Sequence, residues 1–83
     1  MYEILFFKEA QKFFNKLDNS SQKQIAKKIE QLKINPKEGK PLTGNLAGFW
    51  RVRADKYRIL YRIQNDKLLV LIIDIGHRKN IYD

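Results

Sequence analysis

The stretch GFWRVRADKYRILYRI, residues 48–63, decides how the rest of the chain is read. With Asp55 and Lys56 as a two-residue turn, Ala54 faces Tyr57, Arg53 faces Arg58, Val52 faces Ile59, Arg51 faces Leu60 and Trp50 faces Tyr61. Side chains alternate with a period of two along a strand. Trp50, Val52, Ile59, Tyr61 and Ile63 therefore share one face of the hairpin, while Arg51, Arg53, Arg58 and Arg62 share the other. The first face has the composition of a core. The second is a cluster of guanidinium groups in which Arg53 and Arg58, directly opposite, repel each other. A hairpin that keeps such a pair is matched to an anion.

On the C-terminal side, Asn65 and Asp66 make a second turn into residues 68–75, a nearly continuous apolar run that reads as a central strand with neighbours on both edges and cover on both faces. Its one acidic residue, Asp74, reads as a hydrogen-bonded carboxylate at the strand end. On the N-terminal side, residues 36–48 hold two prolines and three glycines and read as an ordered loop pinned by Leu42 and Leu46. Before it, Ile25, Ile29 and Leu32 mark one stripe of a helix that starts with a capping-box-like Asn19 and Gln22 and stops at Asn35-Pro36. Lys23, Lys27, Lys28 and Lys33 lie off that stripe, as on a solvated face. Ala10, Phe13, Phe14 and Leu17 give an earlier helix at i, i+3, i+4 and i+7, ended by Asp18 and Asn19. The very short link makes the two an antiparallel hairpin.

Residues 2–7 read as a first strand, buried on both sides because Ile4, Leu5, Phe6 and Phe7 leave no polar alternation. After a long crossover, it suits a parallel pairing with the last strand. The expected fold is thus α+β: an N-terminal strand, a two-helix antiparallel hairpin, then a three-stranded antiparallel meander, all in one curved sheet.

Eighty-three residues, with 43% hydrophobic and 31% charged, make one globular domain over 1–83. No cysteine is present, so disulfides and thiolate metal sites are excluded. The opening MYEILFFKEAQ lacks the basic region and cleavage site of a signal peptide, and no apolar run is long enough to span a bilayer. A cytoplasmic protein is expected, with no membrane role. A net charge of +8 and a pI near 9.9 favour a densely negative partner, and the arginine face gives that charge a location.

Beyond the last strand runs Gly76-His77-Arg78-Lys79-Asn80-Ile81-Tyr82-Asp83. A strand end leaving the sheet beside the hairpin brings His77, Arg78 and Tyr82 toward Arg51, Arg53 and Arg58. Guanidinium forks hold phosphate, keep their charge at any working pH and stack on bases. No cluster of His, Asp and Glu suggests a divalent metal, and no phosphate-cradling Gly-rich loop is present, so neither metal nor cofactor is expected. One reaction needs only acids, bases and positive charge: attack of an RNA 2′-hydroxyl on its neighbouring phosphate.

These features together resemble the RelE/ParE superfamily of type II toxin-antitoxin toxins, and most closely its RelE-like mRNA interferases. The resemblance rests on the Asn35-Pro36 helix end, Pro41-Leu42-x-Gly44-x-Leu46-x-Gly48, Trp50-Arg51-Val52-Arg53, Tyr57-Arg58-Ile59-Leu60-Tyr61 and the Gly76 to Tyr82 ending. It implies a RelE-like microbial RNase fold, inhibition by a RelB-like acidic antitoxin that wraps the toxin, and cleavage of mRNA on the ribosome. By resemblance, Arg58 contacts the scissile phosphate, Arg78 stabilises the transition state or assists the leaving group, and Tyr82 stacks on or orients a substrate base. Arg51 and Arg53 stand where well-known RelE members carry lysines, and Lys40 stands where some relatives carry an acidic residue.

Arginine does not act as a base. Proton transfer is therefore expected from His77 or Tyr82, while Arg51, Arg53 and Arg62 bind substrate. Three readings compete with the nuclease: a ParE-like gyrase inhibitor, a non-enzymatic RNA-binding module, and a degenerate toxin whose basic face serves mainly to bind its antitoxin.

Overall fold

The computed structural model describes residues 1–77. The hairpin forms with the expected register: β3 (Trp50–Ala54) and β4 (Tyr57–Gln64) pair antiparallel from Trp50 opposite Tyr61 to Ala54 opposite Tyr57. Asp55 takes a φ of 58° at the turn, a left-handed conformation that aspartate tolerates better than most residues. Sheet order is β1-β5-β4-β3-β2, with β1 at Glu3–Phe6, β2 at Lys40–Pro41 and β5 at Leu69–His77. β5, an interior strand second in that order, runs antiparallel to β4 and parallel to β1, so it has the neighbours on both edges that its apolar run implied and the parallel pairing that the long crossover implied.

Two helices, α1 (Lys8–Asn15) and α2 (Asn19–Ile34), cover one face. Ala10 from α1 and Ile25, Ile29 and Leu32 from α2 pack with Val52, Ile59, Tyr61, Val70, Ile72 and Ile75 in one core, flanked by Phe13, Phe14 and Trp50. Asp18, not Asn19, caps α2, its carboxylate accepting a hydrogen bond from the Ser21 amide at 3.4 Å. An anion suits the positive end of a helix, and hydrogen bonding from Ser21 holds this carboxyl below its usual range.

Three further features depart from the sequence expectation. First, β1 is an edge strand with alternating exposure, and Leu5 is 51% exposed rather than buried. Its apolar run reflects a second, uncovered face. Second, the loop contributes the two-residue strand β2, in which Lys40 pairs with Arg51 and Pro41 with Trp50. It is held by Tyr61, whose hydroxyl donates to the Pro36 carbonyl at 2.7 Å and accepts from the Gly39 amide at 3.2 Å. Gly39 is required there, since a Cβ would stand 2.2 Å from the Arg51 carbonyl oxygen.

Third, β5 carries a bulge. Leu60 faces Asp74 and Tyr61 faces Ile72, so Ile73 is an extra residue. A bulge reverses which residues face which side beyond it. Val70 and Ile72 point into the core before it, and Ile75 takes that direction after it, which moves Asp74 out of the core.

Candidate functional site

The face of the sheet away from the helices carries Arg51 and Arg53 on β3 and Arg58 and Arg62 on β4. Arg53 lies opposite Arg58, Arg58 opposite Gly76, and Arg51 opposite both Lys40 and Leu60. A cleft of about 460 Å³ wraps the β3 edge of this face and is lined by Lys28, Glu38, Lys40, Arg51, Arg53 and Arg58, five cations and one carboxylate.

Arg58 is only 7% exposed. A charged group so far from water needs partners, and both Arg51 and Arg58 have them within the protein. Burial and internal partners restrict the motion of such a guanidinium.

Glu38 was not singled out by the sequence. It sits in a 3-10 turn, Pro36–Glu38, which the Tyr61 hydroxyl and the close approach at Gly39 draw against the sheet. Its Oε2 is 2.8 Å from Lys28 Nζ, an ion pair at the cleft wall. The signal available in the sequence was Gly39 itself, a residue that lets the loop backbone approach β3.

His77 does not join the arginines. It lies opposite Tyr57, with ring centroids 5.2 Å apart, and Tyr57 is a core residue packed edge-on to Phe13 with its hydroxyl donating to Ser21 Oγ at 3.2 Å. Alternation without a bulge would have turned His77 to the arginine side; the extra residue at Ile73 turns it to the helix side. Arg62 is also separate, its guanidinium carbon 5.0 Å from the Phe49 ring centroid, in another cavity. Asp74 accepts a hydrogen bond from the Ile75 amide at 2.9 Å, as expected of a strand-end carboxylate. Arg78 and Tyr82 lie outside the described residues. Among the described residues no group of three His, Cys, Asp or Glu side chains is placed to hold a metal, and no helix is long and apolar enough to cross a membrane.

Residues 4–82 match the family model of the ParE toxin of type II toxin-antitoxin systems. The chain belongs to the RelE/ParE superfamily of type II toxins. A Methanocaldococcus jannaschii protein carrying the toxin name RelE4 is 34% identical over 99% of this toxin and 92% of its own length. The toxin-antitoxin complex RelBE2 of Mycobacterium tuberculosis contains a chain that superposes with a TM-score of 0.85 at 32% identity, covering 93% of this chain and 98% of that one. The isolated Escherichia coli RelE toxin superposes with a TM-score of 0.81 at 25% identity, over 93% and 84% of the two chains. The α+β fold of the toxin is thus that of the RelE structures.

Proposed function

We propose that this toxin is a metal-independent endoribonuclease that cuts mRNA on the ribosome and so stops translation. The observation that carries the reading is the cleft in which Arg51, Arg53 and Arg58 converge with Lys28 and Lys40. Five cations around one small volume match a phosphate that gains negative charge as it becomes pentacoordinate. Similarity to RelE-named proteins over nearly the whole chain supports the same reading.

In this mechanism Arg58, with Arg51 and Arg53, holds the scissile phosphate with the 2′-oxygen in line. The 2′-oxygen attacks phosphorus, the bond to the 5′-oxygen breaks, and the products are a 2′,3′-cyclic phosphate and a 5′-hydroxyl. The proton of the 2′-hydroxyl goes to Glu38, the carboxylate of the cleft, through the oxygen not paired with Lys28. Arg78 neutralises the departing 5′-oxygen, which gains a proton from the Tyr82 phenol or from water, and the Tyr82 ring orients a base. His77 is assigned a positioning role: its contact with Tyr57 fixes the end of β5, the residue before Arg78 in the sequence.

The toxin's own inhibitor is an acidic, RelB-like antitoxin, complementary to a chain of charge +8. This is supported by the M. tuberculosis neighbour, a toxin-antitoxin complex. A second reading, inhibition of DNA gyrase, is favoured by one observation, the match to a ParE family model. Adding purified toxin in parallel to a translation reaction and to a gyrase supercoiling reaction separates the two. The nuclease reading expects truncated mRNA and unaffected supercoiling; intact mRNA with blocked supercoiling reverses the assignment.

A further inference from the structure

Arg62 shares a sheet face with Arg58 but stands four residues along β4, about 13 Å away at the usual rise of a strand, and its setting is different in kind. Its guanidinium packs beside Gly48, where a Cβ would come within 3.3 Å of Nη2, and over the Phe49 ring at 5.0 Å. Gly48 has a φ of 95°, so the chain turns there in a conformation that side chains resist. This turn sets Phe49 beneath the guanidinium.

The pair borders a cavity of about 350 Å³ whose other walls are Phe7, Ile63, Gln64, Leu71 and Ile73. Ile73 is the bulge residue, and Phe7 is 43% exposed. A phosphate gains nothing from apolar walls. A flat heteroaromatic ring suits this lining: apolar and aromatic surface for its faces, and a guanidinium for the polar groups on its edge.

We infer that this cavity receives the base of a nucleotide flanking the scissile phosphate on the same single-stranded RNA. The inference rests on the reading of the arginine cleft as the phosphate site, and it adds a second contact along the strand. A stacking platform beside a cationic groove is the usual means of holding single-stranded nucleic acid, and a contact of this kind sets which positions along the RNA are gripped. Arg58 and Arg62 lie on the same face of β4, four residues apart, the direction along which a phosphodiester chain would run between the two sites.

The test uses short 2′-O-methyl RNA, which binds without being cut, and fluorescence anisotropy at fixed low salt. Oligonucleotides carrying a single abasic nucleotide, walked one position at a time, are compared with the parent. For the unaltered toxin, one position away from the strongest phosphate contact should weaken binding by on the order of tenfold when its base is removed. That penalty should vanish in Phe49→Ala and in Arg62→Lys, which keeps the charge but not the planar fork, whereas Arg58→Ala should weaken all oligonucleotides alike. The inference is overturned if no abasic position carries a penalty, if the penalty persists in both variants, or if the toxin binds none of the RNAs. It is equally overturned if Arg62→Lys leaves RNA binding unchanged and weakens binding of an antitoxin peptide, which would make the cavity a protein-docking site. Intact mRNA on ribosomes together with a variant-sensitive abasic penalty would contradict the nuclease reading and leave the base site standing.

Discussion

His77 lies opposite Tyr57 on the helix side of the sheet, its imidazole 5.2 Å from the phenol ring, while Arg58, the next residue of β4, points the other way. One extra residue in β5 separates the histidine from the arginines, and in the proposed mechanism the histidine is not the proton acceptor. His77→Ala should therefore retain ribosome-dependent cleavage within several-fold of the parent, with a small loss of thermal stability from the missing ring contact. A fall of a hundredfold or more, with the fold intact by circular dichroism, would restore the histidine to proton transfer.

Glu38 should behave differently. Glu38→Gln preserves the size of the side chain and removes its basicity, so single-turnover cleavage should fall by about 10²- to 10⁴-fold. The Lys28 ion pair is partly exposed, and its loss costs at most about 1 kcal/mol of stability. Cleavage at the parental rate by a stably folded Glu38→Gln toxin would remove the carboxylate from the mechanism.

Tyr61 makes stability depend on alkaline pH. Burial, opposed by the Gly39 hydrogen bond, pushes its phenol from 10.0 up to about 12. Between these values the unfolded chain has lost the proton and the folded one keeps it, so this group favours unfolding progressively as pH rises from 10 to 12. In Tyr61→Phe that part of the alkaline loss should be absent. The variant should also be less stable at neutral pH by about 1–3 kcal/mol, because the Pro36 carbonyl and Gly39 amide lose their partner. Denaturant melts of both proteins at pH 8 and pH 11 measure the difference; identical pH dependence would contradict the assignment.

Leu68 precedes β5 with a φ of 53°, a left-handed conformation that a branched aliphatic residue resists, and half of it is exposed. Leu68→Gly should relieve strain of about 1–2 kcal/mol, offset in part by the greater freedom of glycine when unfolded. Thermal denaturation should show equal or higher stability. A clear loss would mean that the leucine side chain contributes more through packing than its conformation costs.

Much of this toxin was legible in its residues because the decisive hairpin obeys two independent rules at once, strict alternation and a two-residue turn. The register from Trp50 to Tyr61 and the arginine face followed from them, as did the neighbours on both edges of β5 from its apolar run. The bulge left no mark, since Leu71, Ile72 and Ile73 are all apolar and any of them fits either face. That silence is why His77 was expected beside the arginines. Glu38 was hidden for a different reason: its place depends on a loop being drawn in by Tyr61, a contact between residues far apart in the chain. Arg62 was grouped with the other arginines by face alone, and only distance along the strand and the Phe49 contact set it apart.

Arg58 is the residue on which the account turns, and mapping mRNA ends in a purified translation reaction tests it most directly. The unaltered toxin should produce cuts at ribosome-occupied codons, and Arg58→Ala should lower their rate by on the order of 10²-fold or more. Uncut mRNA with the unaltered toxin, or equal cutting by Arg58→Ala, would contradict the account.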